Sequence, residues 1–122
     1  MKQKVHSVSY LAKAEFEFKN GVYDLVALPT GAEVVRVSLE LTGDPVSGNI
    51  HVGFKDEPTK GYFLALTPVS EKVTNFESTK DYTVTSNKAL VAEVGGVTDD
   101  SRHAKCVLRV LYFLPSVIEV EY

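Results

Sequence analysis

From Ala32 to Thr42 the chain alternates. Val35, Val37, Leu39 and Leu41 fall on one parity, and Val34, Arg36, Ser38, Glu40 and Thr42 on the other. A helix that buries one face needs apolar residues three and four apart, and this run lacks that spacing. Period two belongs to a strand with one face against a core. The valines at 34, 35 and 37 add stiff β-branched side chains that suit a pleated surface.

The same period recurs along the chain. In "AEFEFKNG", Ala14, Phe16 and Phe18 oppose Glu15, Glu17 and Lys19. Asn20-Gly21 follows, then "VYDLVAL". Asn-Gly between two apolar segments is a strong hairpin signal, because both residues accept positive φ. Pro29-Thr30-Gly31 reads as a corner: Pro29 fixes φ and offers no donor, and Gly31 permits a left-handed backbone. "GDPVSG" (43–48) and "KDEPTKG" (55–61) read as loops. "NIHVGF", "VTNFES", "DYTVTS" and "ALVAEV" read as strands, "YFLAL" is ambiguous, and "GGVTDDSRHA" (95–104) is the longest polar connection.

No segment has helical periodicity, and roughly eight to ten short strands at this spacing predict an all-β, jelly-roll-like antiparallel β-sandwich. At 122 residues it is expected to be one domain over 1–122, with 1–13 as a possible extended arm. "KCVLRVLYFL" (105–114) is apolar on both parities: Val107, Leu111 and Phe113 share a side with Arg109, and Cys106, Leu108, Val110, Tyr112 and Leu114 take the other. Such a strand is either covered on both faces or contacts another chain.

Residues that usually carry chemistry are scattered. His6, His51 and His103 sit on separate segments, none with a second ligand at metal-binding spacing. Asp99-Asp100 reads as a solvated turn, since no calcium loop of spaced acids surrounds it. There is no nucleophile elbow and no phosphate loop. Without tryptophan, a sugar-stacking platform would fall to Tyr62 and Phe63. Cys106, the one cysteine, reads as an inert core residue. A net charge of −3 argues against an extended nucleic-acid face. Neither a signal peptide nor a membrane-spanning run is read. The expectation is a protein without enzymatic activity, cofactor or metal, and with no membrane or direct nucleic-acid partner.

One resemblance runs through these strands. "LPTGA" (28–32) leading into an alternating strand, then Val52-Gly53 ending "NIHVG", then the aromatic "YFLAL", then "VLYFLPS" (110–116), occur in that order. The pattern resembles small β-sandwich virion proteins of tailed phages, of the capsid decoration (cement) or head-fibre type, over about residues 22 to 116. The resemblance implies a structural role: a cement protein on the outer capsid lattice, stabilising the head against internal DNA pressure. It implies a homotrimer whose partners are itself and the major capsid protein, located on the virion surface and made in the host bacterial cytoplasm. A fibre or tail module that grips a receptor or glycan is the alternative. Interface candidates are Val8 and Tyr10 on the arm, Lys55 and Glu57, Asp99 and Asp100, Tyr112, and Ile118 and Tyr122 near the end of the chain.

Overall fold

A computed structural model describes residues 2–44, 47–55, 60–66, 73–78, 80–98, 102–115 and 117–121. Among them there is no helix. Eleven strands are present: β1 (Lys2–His6), β2 (Ser9–Glu17), β3 (Gly21–Leu28), β4 (Glu33–Asp44), β5 (Asn49–Gly53), β6 (Leu64–Leu66), β7 (Val73–Glu77), β8 (Tyr82–Thr83), β9 (Lys88–Gly95), β10 (Arg102–Phe113) and β11 (Val117–Glu121). All pairings are antiparallel.

Two sheets form the body. The larger has the order β2-β10-β4-β7, with β8 also paired to β4, and the smaller has the order β3-β9-β5-β6. The chain changes sheet at nearly every connection: β2 to β3, β3 to β4, β4 to β5, β6 to β7, β8 to β9 and β9 to β10. That winding of a five-stranded and a four-stranded sheet is the jelly roll. Its core is one apolar cluster between the layers. Val34, Val37, Leu39, Leu41, Cys106, Leu108 and Val110 come from the large sheet, and Leu28, Ile50, Val52, Leu90, Ala92 and Val94 from the small one.

The Asn20-Gly21 hairpin expected from sequence does not form. β2 and β3 belong to different sheets, so Asn20-Gly21 is a crossover between layers. The backbone still uses the glycine, at φ 153°. Asn20, however, closes no hairpin; its amide is tied across to Val97. Nδ2 donates to the Val97 carbonyl at 3.0 Å, and the Val97 N–H donates to Oδ1 at 2.9 Å. Phe18, just before the crossover, is buried and fills the corner.

The parity assigned to β4 also changes. Leu111 pairs with Arg36 but Tyr112 pairs with Val34, so Val35 and Arg36 together face one residue of β10. This β-bulge flips the pleat. Val34 is fully buried beside Val37, and Val35 is pushed outward to 44% exposure.

Pro29-Thr30-Gly31 is the β3–β4 corner. Gly31 has φ 89°, and its N–H donates to the Val84 carbonyl at 2.6 Å. The Ala32 N–H closes the turn onto the Pro29 carbonyl at 3.1 Å. Asn87 Oδ1 accepts from both the Thr30 N–H (2.8 Å) and the Thr30 hydroxyl (3.0 Å).

Outside the sandwich, β1 and β11 form a two-stranded ribbon of their own. It continues the β2–β10 pair, whose last partners are Ser9 and Phe113, and begins again at His6 opposite Val117. Two residues (7 and 8) on one side therefore span the same gap as three (114 to 116) on the other. The Leu114 N–H donates to the Val8 carbonyl at 2.9 Å, and His6 Nδ1 lies 3.1 Å from the Leu114 carbonyl oxygen.

Candidate interaction surface

Strand register sets out the outer face of the large sheet row by row. Glu15, Val107, Glu40 and Asn75 form one row; Lys13, Arg109, Ser38 and Glu77 the next; Leu11, Leu111 and Arg36 a third; Ser9, Phe113 and Glu33 a fourth. The first two rows are charged with both signs. Arg109 Nη1 reaches Glu40 Oε1 at 3.4 Å, Lys13 meets Glu15 at 3.7 Å, and Arg36 meets Glu77 at 3.9 Å. Exposed pairs of this kind contribute about 0–1 kcal/mol each, so they pattern the surface more than they stabilise it.

The rows nearer the ribbon are mixed: Leu11, Leu111 and Phe113 stand among Arg36, Ser9 and Glu33. Leu11 on β2 is 56% exposed, Val35 on β4 is 44% exposed, and Leu111 and Phe113 on β10 between them are half-buried, whereas Cys106, Leu108 and Val110 on the core side of β10 are buried. The two apolar sides of β10 are thus unequal, and the outward one stays partly open to solvent. Around the ribbon root, Tyr10 stacks edge-on against its register partner Tyr112, with ring centroids 5.9 Å apart. Tyr10 is 52% exposed and Val8 41%.

Of the candidates from sequence, Val8, Tyr10, Tyr112 and Ile118 gather about this root, Ile118 at the register position opposite Val5. Lys55 is elsewhere, held to Asp24 at 3.1 Å on the small-sheet side. Glu57, Asp99, Asp100 and Tyr122 lie outside the described residues. Leu11, Val35, Leu111 and Phe113 were not among the candidates. Leu11 carried a signal, being a large apolar residue on the polar parity of Lys13 and Glu15.

An aromatic cluster closes one end of the sandwich. Phe54 packs against Tyr62, Phe63 and Tyr82 with centroid separations of 6.4, 5.7 and 4.9 Å. Lys88 Nζ donates to the Tyr82 hydroxyl at 3.0 Å and sits 5.0 Å from the Phe54 ring. Phe54 and Phe63 are buried, and the Tyr62 hydroxyl is committed to the Asp81 carbonyl at 2.9 Å. The cluster is a packed plug with cations on its rim.

Among the described residues no three His, Cys, Asp or Glu side chains converge on a metal position. Burial pushes the Cys106 thiol up to about 12, so it stays protonated.

The chain is similar over its whole length to a solved structure. It is 61% identical to a chain of the acid-stable capsid of Helicobacter pylori bacteriophage KHP30, covering 100% of both chains, with a TM-score of 0.89. It belongs to the same family, and is a small structural protein of a phage capsid. A chain of the cyanophage Pam1 capsid asymmetric unit is 20% identical, with 88% of this chain and 85% of that one covered and a TM-score of 0.67, a likeness of fold. No protein-family model and no curated protein matches the capsid protein. The order of short motifs from "LPTGA" to "VLYFLPS" therefore pointed to the right class of virion protein.

Proposed function

We propose that this capsid protein is a decoration (cement) protein, bound as a homotrimer to the outer lattice of the major capsid protein. The observation that carries this reading is the divided outer face of the large sheet. In its half nearer the ribbon, Leu11, Leu111, Phe113 and Val35 stay partly open to solvent among Arg36, Ser9 and Glu33, an apolar-rich surface of the type that associates with protein. Its half with charges of both signs fixes orientation and register on a partner. A protein that bridges neighbouring capsomers adds buried area that internal pressure must separate. It works through a rigid scaffold and repeated weak contacts, which symmetric attachment multiplies through effective concentration.

The test uses capsids prepared without the protein. Adding the purified full chain is expected to place density on the outer surface at lattice symmetry positions in electron micrographs. It is also expected to raise the temperature at which the heads release DNA. Capsids that neither bind the protein nor gain resistance would refute the reading.

A further inference from the structure

We infer that the β1–β11 ribbon is a self-association element, in which the free edge of β1 in one copy receives β11 of a second copy. Two antiparallel strands alone are marginally stable in water. Among the described residues neither strand has another pairing partner, so both outer edges present unpaired backbone donors and acceptors. Edges of that kind are templates for further strand addition.

Register makes the ribbon two-faced. Lys2 is opposite Glu121 and Lys4 opposite Glu119, which places the charged positions on one face. Gln3 is opposite Val120 and Val5 opposite Ile118, which places the apolar positions on the other.

Charge selects the occupant. β1 carries lysines and β11 carries glutamates. Pairing β1 with β1 of another copy sets Lys against Lys, and pairing β11 with β11 sets Glu against Glu; like charges directly opposite are destabilising. Pairing β1 with a neighbour's β11 repeats the Lys–Glu arrangement already present within each ribbon. It also sets Val5 beside a second copy of the Ile118–Val120 strand. The contact is head-to-tail, so it generates a ring when the rotation closes. In a closed ring of ribbons every edge is paired and the apolar faces turn inward, as in a small barrel. The inference deepens the proposed decoration role by naming how copies join, and takes from it only the expectation of three copies.

Sedimentation of the full chain in the absence of capsids tests the inference separately from capsid binding. Wild type is expected to associate. K2E/K4E and E119K/E121K should each weaken association about tenfold or more. The fourfold exchange K2E/K4E/E119K/E121K should restore it, because opposite charges face each other again. A wild-type chain that stays monomeric and gathers only on capsids would overturn the inference and give the ribbon to the shell. So would association that ignores the charge reversals, and so would a fourfold exchange that fails to restore it. Self-association without capsid binding would leave this inference standing and remove the decoration role.

Discussion

Gly31 and Pro115 are in contact across the fold: a Cβ added at Gly31 would sit 2.7 Å from the Pro115 Cβ, closer than side-chain carbons approach. One residue belongs to the β3–β4 corner and the other to the slip between the β2–β10 pair and the ribbon. Two of the motifs that carried the family resemblance, "LPTGA" and "FLPS", are therefore two sides of one joint. The corner packs against the ribbon root, which ties its geometry to the aim of the ribbon.

Replacing Gly31 by alanine should consequently be costly for two separable reasons. A left-handed backbone costs a non-glycine residue about 1–2 kcal/mol, and the added methyl must displace Pro115. We expect G31A to lower unfolding free energy by about 2 kcal/mol or more. Pairing it with P115G removes the collision but not the φ penalty, so urea titrations of both single variants and the double should be non-additive, with a part of the loss recovered. Strict additivity would mean that the contact carries no energy.

The β4 bulge predicts opposite outcomes at adjacent valines. Val34 is fully buried and Val35 is 44% exposed. V34A leaves a cavity and should cost about 2 kcal/mol, whereas V35A should change monomer stability by less than about 0.5 kcal/mol. Chemical denaturation of the two variants distinguishes the bulged register from an uninterrupted strand, which would reverse the order.

Those two valines also show where the sequence stopped being readable. Alternation made the strands visible because half-burial imposes period two on composition. A bulge shifts the pleat by one residue without changing composition, and in Val34-Val35 both residues are apolar, so the pattern carries no mark of the flip. Asn20-Gly21 satisfied a local rule, since positive φ serves a crossover as well as a hairpin. What decided between them was Val97, 77 positions away. The interaction surface was half legible for the same reason. Tyr10 was readable with Val8 on the arm and Tyr112 on the doubly apolar strand, but the ribbon depends on β1 pairing with β11, a pairing no local pattern encodes.

The Asn20–Val97 tie is open to a graded test. Asn20 supplies one donor and one acceptor to the same backbone residue. Each such hydrogen bond contributes about 0.5–1.5 kcal/mol net. N20A should lose both, about 1–2 kcal/mol, and N20D, which keeps an acceptor for the Val97 N–H, should lose less. Equal losses in urea denaturation would show that packing at the crossover, and not the paired amide, holds the two loops together.

The buried thiol predicts an alkaline limit to stability. Cys106 has its pKa raised from 9.0 to about 12 because burial disfavours the thiolate. In the unfolded chain the thiol ionises from its ordinary value upward, while in the folded chain it holds its proton. Between those two values the native state binds more protons than the unfolded state, so stability falls as pH rises. The contribution is fully present below pH 9.0 and disappears as pH climbs toward about 12. The slope is about 1.4 kcal/mol per pH unit at most for a single proton. Other groups titrate in that range, so the measurement is a difference: unfolding free energy against pH for wild type and for C106A, which has no thiol. C106A should start lower from its smaller core side chain, and the gap should narrow as pH is raised above 9.0. Parallel curves would mean that the thiol ionises as readily in the folded protein as in the unfolded chain. Fast modification of the native protein by a thiol reagent at neutral pH would point the same way, because both require a Cys106 that water can reach.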